Sequence, residues 1–217
     1  MSLLEALEKR ATVRSFSDRP VGQAILDKAI RAALTAPAYN HLWEWGFIQL
    51  RDPALREQVA EAFGIRDIRD ASRLQELFST FPDEAKQIYL RALPVQQTML
   101  REAPEILVPI YRSKRGETRA EGPVDLNAHA AIWMGIAHLL LSLAEDGVFG
   151  CTLVPGPSNE ARALLGVPDG WRIATLLPIG YPRGKVIHNP HPTRVGDFLH
   201  IDRFTGFTLP TTDEPMG

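Results

Sequence analysis

The segment IWMGIAHLLLSLA, residues 132–144, is the most apolar stretch of the chain. A helix that is apolar on nearly every side is stable in water only when other elements surround it. The helical pattern starts near Val124, reaches about Asp146 and ends at Gly147, a residue type suited to the position after a helix. The apolar segment is shorter than the ~20 residues that a bilayer requires and contains His138, so no membrane association is expected. We therefore predict a buried central helix.

The composition is that of a globular protein with one core. The chain has 217 residues, of which 45% are hydrophobic and 23% charged, and a net charge of -2. That size suits one domain, and no cluster of basic residues predicts a nucleic-acid partner. The single cysteine, Cys151, excludes an internal disulfide and a thiolate metal cluster, and suits a reducing compartment. Because the N-terminus lacks a signal-peptide pattern, we expect a cytoplasmic protein.

Periodicity predicts helices and strands that do not alternate strictly, which favours the α+β class. Strands are predicted at 46–51 and 106–112, extended chain at 149–154, and one central strand at 171–182. Further helices are predicted at the N-terminus, before Pro37, after Pro53, and from Ser158 to Gly166. Residues 67–101 are helical in pattern but polar, and either a lid over a site or a plain helical excursion fits them. The tail from Gly184 to Gly217 is rich in proline.

The segment RATVR places two guanidinium groups and a hydroxyl on one side of the chain. Arg10 and Arg14 are four residues apart with Thr12 midway, a spacing that aligns them in a helix and in extended chain. Arginine forks and a hydroxyl suit a phosphate. The alternative is an exposed pair of cations at a helix end, where the helix dipole favours positive charge. The spacing alone favours this second interpretation.

Other candidate motifs have simpler explanations. GYPRGK, residues 180–185, lacks the glycine spacing and the hydroxyl residue of a phosphate loop, and no GxGxxG dinucleotide motif occurs. His188 and His191 lack further ligands at zinc-site spacing, so we predict surface histidines and no metal. Cys151 lies among apolar residues and is predicted to be a core residue.

Three blocks of sequence together resemble the FMN-dependent nitroreductase family. RATVRSFSDRPV resembles the opening of the family, with its basic and hydroxyl residues followed by Phe and a Pro-Val step. TAPAYNHLWEWGF is similar to the Ala-Pro-Ser loop that ends in Gln-Pro-Trp-x-Phe. FGCTLVPGPSNEARALLGVPDGWRIATLLPIGYP resembles the late strand, short helix and closing Gly-Tyr-Pro strand. The blocks follow the family order from residue 10 to residue 194.

The resemblance implies one domain, residues 1–217, with a mixed, mainly antiparallel sheet flanked by helices. It also implies an intertwined homodimer in which the tail, from about residue 184, wraps the partner subunit. One FMN would lie in each active site at the interface. The cofactor-binding residues implied by motif position are Arg10, Thr12, Arg14, Pro37, Ala38, Tyr39, Asn40, His41, Pro155, Gly156 and Arg194.

The resemblance also assigns parts of the flavin to these residues. Arg10, Thr12 and Arg14 would hold the phosphate and the ribityl chain, and Arg194 would join the phosphate. The backbone amide of Gly156 would face the reactive edge of the flavin. The segment from Pro37 would come from the other subunit.

The loop at 35–47 departs from the family pattern. Aligned without a gap, His41 occupies the usual asparagine position, whereas a shift of one residue places Asn40 there, and both alignments stay open. Trp43 replaces glutamine and Glu44 replaces proline. Tryptophans in this loop suit the wall of a pocket or a dimer interface, and for Trp45 we predict an interface core residue.

The implied activity is an oxidoreductase that uses FMN, with NADH or NADPH as electron donor and a nitroaromatic, quinone or other electron-poor small molecule as acceptor. No catalytic side chain is predicted, because the flavin carries the redox chemistry. The alternatives are a relative with other flavin chemistry, such as dehalogenation, dehydrogenation or flavin breakdown, and a protein that binds flavin without turnover.

Overall fold

The computed structural model describes residues 2–38, 41–63, 95–96, 98–113, 126–188, 195, 198–204 and 206. Backbone contacts divide the chain into two units, Met1–Val186 and Ile187–Gly217. The first unit contains the sheet and all the named helices. In the second unit, the rings of His200 and Phe204 meet edge to face, with centroids 4.8 Å apart.

The sheet has five strands in the order β1-β2-β5-β3, with β4 beside β2. Their bounds are β1 Trp45–Leu50, β2 Glu105–Arg112, β3 Phe149–Gly150, β4 Trp171–Ile173 and β5 Leu177–Gly180. All the strand pairs are antiparallel, and an isolated parallel bridge joins Thr12 to Gly150 at the outer side of β3. The predicted α+β class with a mainly antiparallel sheet is confirmed.

Helices cover both faces of this sheet. Their bounds are α1 Leu3–Lys9, α2 Gln23–Ala33, α3 Pro53–Ala62, α4 Asn127–Glu145 and α5 Asn159–Leu164. Residues 95–96 and 98–102 are also helical. Alternate residues of β2 face opposite cores: Leu107 packs on the side of α2 and α4, and Ile106 packs on the side of α3.

The central helix α4 is buried as predicted, although it is longer than its apolar segment. Its 19 residues are long and apolar enough to cross a membrane by length and composition alone, so our length argument was too strong. Within the protein, α4 packs into the core through residues such as Ile132, Leu139 and Leu143, which have no exposed surface. The helix ends at Glu145, and after the cap residue Asp146 comes Gly147 with a φ of 71°, as the sequence predicts.

The predicted single strand at 171–182 was wrong, because the structure divides it into β4 and β5. Ile110 pairs with Ile173 and Leu107 pairs with Leu177, so Ala174–Leu176 face only two residues of β2. One extra residue makes this a β-bulge. One of the two facing residues is Pro109, which has no N–H to donate across the ladder and only accepts, from the Ala174 amide at 2.8 Å.

The first two helices form near their predicted positions. The helix α2 ends at Ala33, before Pro37, and its buried residues are Leu26, Ala29 and Ala33. The helix α1 forms as predicted, but its apolar residues are not covered within the chain. Leu3 is 72% exposed and Leu4 is 64% exposed. In the part of the chain that the structure describes, no other element covers this apolar surface of α1.

Arg56 joins α3 to the end of β1 and to the residues before β2. Arg56 donates hydrogen bonds to the backbone oxygens of Leu50 at 2.7 Å, Ala103 at 3.1 Å and Pro104 at 3.1 Å. These carbonyls belong to the end of β1 and to the connection that enters β2. Burial lowers the pKa of Arg56, which keeps its charge nevertheless because arginine titrates far above neutral pH.

Candidate functional site

RATVR is extended in the structure, and its polar residues share one exposed face. Ala11 and Val13 are buried, at 6% and 8% exposure, whereas Thr12 and Arg14 are exposed and Arg10 is half-buried. This alternation with a period of two is that of an extended chain with one face in the core. Arg10 ends α1, where its backbone N–H donates to the oxygen of Ala6 at 3.0 Å. The common face predicted from the spacing therefore forms in extended chain.

This polar face lies beside the segment that follows β3. The Val13 amide donates to the Gly150 oxygen at 3.4 Å, and Thr12 forms the parallel bridge to Gly150. Arg14 reaches the sulfur of Cys151, where its charge and hydrogen bond lower the thiol pKa, but burial raises that pKa by more. Cys151 is therefore a buried thiol, as predicted, and not an activated nucleophile.

The two cations of RATVR are not neutralised by carboxylates of the described chain. The salt bridges found there involve other arginines, among them Arg112 with Glu44 and Arg183 with Glu102. Unpaired guanidinium groups on an exposed extended segment are suited to bind an anion. The phosphate role of these residues therefore stays a prediction.

The Pro155–Gly156 segment continues from this point of the sheet. Leu153 exchanges backbone hydrogen bonds of 2.9 and 2.8 Å with Leu176, which fixes the chain just before Pro155. Ser158 fixes it on the other side, since its hydroxyl donates to the Ala62 oxygen at 2.8 Å and caps α5. Gly156 is exposed, and a Cβ atom built on it meets no atom within 4 Å. Nothing within the described chain requires glycine at that position.

The loop after α2 is fixed at both ends. At its start, the hydroxyl of Thr35 lies 3.1 Å from Nδ1 of His138. At its end, Glu44 accepts a hydrogen bond from the Arg112 side chain at 3.0 Å and one from the Arg112 backbone at 2.8 Å. The carboxylate that replaces the family proline is therefore bound to Arg112. Between these ends, Pro37 is exposed and Ala38 is half-buried.

His41 adopts a backbone conformation that is uncommon outside glycine. Its φ is 56°, and its N–H donates to the Ala38 oxygen at 3.2 Å. Such left-handed residues cost conformational energy and concentrate at functional loops. The His41 ring lies 6.4 Å from the ring of Trp43, which is 55% exposed. The loop thus presents an imidazole and an indole to its surroundings.

Trp45 belongs to the core of its own chain, so its prediction as an interface residue was wrong in location. It is 6% exposed and meets Phe47 edge to face, with centroids 5.9 Å apart. A Cβ atom on Gly135 would lie 3.3 Å from the Trp45 ring, so glycine in α4 makes room for the indole. The Trp45 N–H is buried without a hydrogen-bond partner.

Several predicted residues lie outside the described residues. Tyr39, Asn40 and Arg194 are among them, as are most of residues 67–101, for which a lid and a plain helical excursion were both open. The choice between Asn40 and His41 for the family asparagine position therefore stays a prediction. In the part of the chain that the structure describes, no group of three or more potential metal ligands occurs.

Comparison of the sequence with known proteins identifies the family of the chain. The model of the Nitroreductase family matches residues 7–181. The chain belongs to the nitroreductase family. The matched residues include RATVR, the loop at 35–47 and the Pro155–Gly156 segment.

Curated relatives in the family differ in their activities. The chain is similar to iodotyrosine deiodinase 1 of Rattus norvegicus, with 29% identity over 189 residues, which cover 84% of this chain and 63% of that protein. It is also similar to the NADH dehydrogenase of Thermus thermophilus, with 28% identity over 175 residues, which cover 80% of this chain and 83% of that protein. The chain thus spans less than two thirds of the length of the rat deiodinase.

Solved structures share the fold at lower identity. An oxidised iodotyrosine deiodinase bound to FMN and 3-iodo-L-tyrosine has a TM-score of 0.67 and 22% identity, and the match covers 89% of this chain and 98% of that one. The NADPH:FMN oxidoreductase of Vibrio harveyi, complexed with NAD+, has a TM-score of 0.68 and 16% identity, with coverage of 95% and 80%. At these identities the likeness establishes the nitroreductase fold alone.

Proposed function

We propose that this chain is an FMN-dependent oxidoreductase that passes electrons from NADH or NADPH to an electron-poor small molecule. The observation that carries the proposal is the face of Arg10, Thr12 and Arg14, which has no carboxylate partner among the described residues and lies beside Gly150 and Cys151, at the start of the segment that leads to Pro155 and Gly156. A cationic face that can take a phosphate and an uncrowded glycine backbone that can approach a flat ring are both parts of a flavin site. Family membership supports the same conclusion.

The roles of the chain in this proposal are binding and orientation. Bound FMN supplies the redox chemistry, accepting and giving up a hydride equivalent. Arg10 and Arg14 neutralise the phosphate, and the Thr12 hydroxyl accepts or donates a hydrogen bond beside them. The Gly156 amide donates toward the reactive edge of the ring, where a fixed donor stabilises developing negative charge. No side chain of the described residues is assigned as a catalytic acid or base.

Gly156→Ala tests the close approach of the ring. A methyl group there has open space in the protein, so we expect the apoprotein to unfold at an unchanged denaturant concentration. We expect the FMN affinity to fall by about tenfold, because the added methyl group would displace the ring. A tenfold change corresponds to about 1.4 kcal/mol of binding free energy. Gly184→Ala is the matched control, because a Cβ atom there also meets nothing within 4 Å. Equal FMN affinity in both variants would contradict the assignment of Gly156.

Nitroaromatics and quinones are the acceptors we propose first. The reaction transfers two electrons from NADH or NADPH to the acceptor through the flavin, with protons taken from water. The test is the acceptor-dependent oxidation of NADH and of NADPH by the FMN-loaded protein at saturating acceptor. Turnover with either donor supports the proposal, whereas a protein that holds FMN but oxidises neither donor would contradict this first candidate.

Reductive dehalogenation is the second candidate function, favoured by the similarity to iodotyrosine deiodinases. In that reaction two electrons and a proton replace a carbon–iodine bond by a carbon–hydrogen bond and release iodide. The FMN-loaded protein is reduced chemically and mixed with 3-iodo-L-tyrosine without oxygen. Release of iodide together with tyrosine supports this candidate, and absence of iodide with rapid nitroaromatic reduction supports the first.

We further propose that the working form is a homodimer in which the partner contributes the segment from Pro37 and the tail covers the partner's surface. The support is the uncovered apolar surface of α1, where Leu7 is 48% exposed, and of α4, where Met134 is 39% exposed. We expect light scattering to give about twice the 24.1 kDa chain mass. Truncation after Tyr181 should lower the unfolding temperature. A folded, FMN-loaded monomer would contradict the dimer.

The compartment proposed for the protein is the cytoplasm. The support is that the only cysteine, Cys151, is a buried free thiol. The fold therefore has no internal disulfide that a reducing environment would break. Cell fractionation followed by detection of the native protein tests this placement. Recovery with a secreted or membrane fraction would overturn it.

A further inference from the structure

We infer that His138 is a positioning residue that fixes the loop at 35–43 through Thr35, and thereby sets FMN affinity. The inference extends the proposed function, on which its FMN part rests. Thr35 lies two residues after the end of α2. Its side chain forms a hydrogen bond with His138 on α4, 103 residues later in the chain. The Pro37–Ala38 step, which the family resemblance assigns to the flavin, begins two residues further on.

The direction of the hydrogen bond follows from the partners of Thr35. Its hydroxyl lies 2.7 Å from the Ala32 oxygen, which can only accept, so the hydroxyl proton points there. The Thr35 oxygen is then an acceptor toward His138, and the 3.1 Å contact requires a hydrogen on Nδ1. The carbonyl of Ala32, the hydroxyl of Thr35 and the imidazole of His138 therefore form one directed chain of hydrogen bonds.

This chain acts on a part of the loop that has few other restraints. In the described residues, the loop has backbone hydrogen bonds from Ala36 to Ala33 at 3.0 Å and from His41 to Ala38 at 3.2 Å. Pro37 is exposed, and the strained His41 must be held by its surroundings. The Glu44–Arg112 pair restrains the other end. Loss of the His138 contact removes the side-chain link between this loop and α4, and leaves the start of the loop with its local bonds to Ala32 and Ala33.

The chemistry of the contact provides a conservative variant that keeps it. The amide nitrogen of asparagine occupies nearly the place of Nδ1 of histidine and also donates, whereas leucine fills similar space without a donor. His138→Asn should therefore preserve the loop, and His138→Leu should release it. Thr35→Val removes the acceptor from the other side and keeps the branched shape. Ala130→Ser, at an exposed position two helical turns earlier on α4, is the control for a neutral change on the same helix.

The first measurement is amide hydrogen exchange in the peptide that covers residues 35–43, in FMN-free protein. We expect exchange at Ala36 and His41 to be about three- to tenfold faster in His138→Leu and Thr35→Val, the effect of one lost hydrogen bond. His138→Asn and Ala130→Ser should match the wild type. Equal exchange in all the proteins would overturn the inference, and so would His138→Asn behaving like His138→Leu.

The second measurement is the FMN dissociation constant of the same proteins and of the His138→Leu/Thr35→Val double variant. We expect the two single variants to bind FMN about three- to tenfold more weakly. The double variant should bind FMN no more weakly than Thr35→Val, because Thr35→Val already removes the His138 contact together with the bond to the Ala32 oxygen. Unchanged FMN affinity in every variant would overturn the role in flavin binding. If the exchange pattern holds but the wild type binds no FMN, the proposed function fails and the positioning of the loop stands.

Discussion

Arg14→Ala should weaken the binding of FMN by roughly tenfold to a hundredfold and leave the binding of riboflavin nearly unchanged. The variant removes one guanidinium that faces solvent beside Cys151 and that has no carboxylate partner among the described residues. A charge-assisted hydrogen bond to a phosphate is worth about 1.5–3 kcal/mol, and about 1.4 kcal/mol is one decade of affinity. Riboflavin has no phosphate and therefore loses nothing at this position.

The measurement is a titration of each apoprotein with FMN and with riboflavin, followed by the quenching of flavin fluorescence. Arg31→Ala is the matched control, because Arg31 is an exposed arginine in the last turn of α2. Equal weakening for both ligands would mean that Arg14 supports the fold and does not contact the phosphate. Unchanged affinity for both ligands would mean that Arg14 is an ordinary surface residue.

Arg56→Met should lower the free energy of unfolding by about 2–4 kcal/mol. The three carbonyl oxygens that accept from Arg56 would lose their donor. Methionine fills the space of the aliphatic part of the arginine side chain but carries no N–H group to donate. The loss is smaller than the sum of three charge-assisted hydrogen bonds, since Arg56 is only half-buried and water can reach part of the vacated site. The oxygens of Ala103 and Pro104 lie next to β2, so the sheet should loosen there first.

Urea unfolding of the apoprotein, with the midpoint and slope both recorded, measures this effect. Arg31→Met, the exposed control, should change stability by no more than about 0.5 kcal/mol. Arg56→Lys should fall between the wild type and Arg56→Met, because an ammonium group reaches fewer of the three carbonyls. If Arg56→Met and the Arg31→Met control have equal free energies of unfolding, water replaces the hydrogen bonds of Arg56 with no loss of stability, and the prediction is wrong.

Features that depend on neighbouring residues were predictable from the sequence. Gly147 and Gly166 end their helices with φ angles of 71° and 63°, and Ser158 caps α5 through its hydroxyl. The common face of Arg10 and Arg14 was also predictable, since their even spacing aligns them in either backbone conformation. Local sequence determines these features, so a reading of the sequence identifies them.

Features that depend on distant residues were not predictable in the same way. The break between β4 and β5 lies opposite Pro109 in a strand more than sixty residues earlier, and no local signal marks it. The Glu44–Arg112 pair joins residues 68 apart, and the Thr35–His138 pair joins residues 103 apart. Their chemistry is visible in the sequence, but their contact exists only after the sheet and α4 have assembled.

The central claim is that the chain binds FMN on the surface formed by RATVR and the Pro155–Gly156 segment. The most direct test is the visible absorption spectrum of the purified protein after incubation with excess FMN and removal of unbound ligand. We predict a yellow protein with one FMN per chain, which bleaches when NADH or NADPH is added without oxygen. A folded protein that remains colourless after this reconstitution would contradict the account.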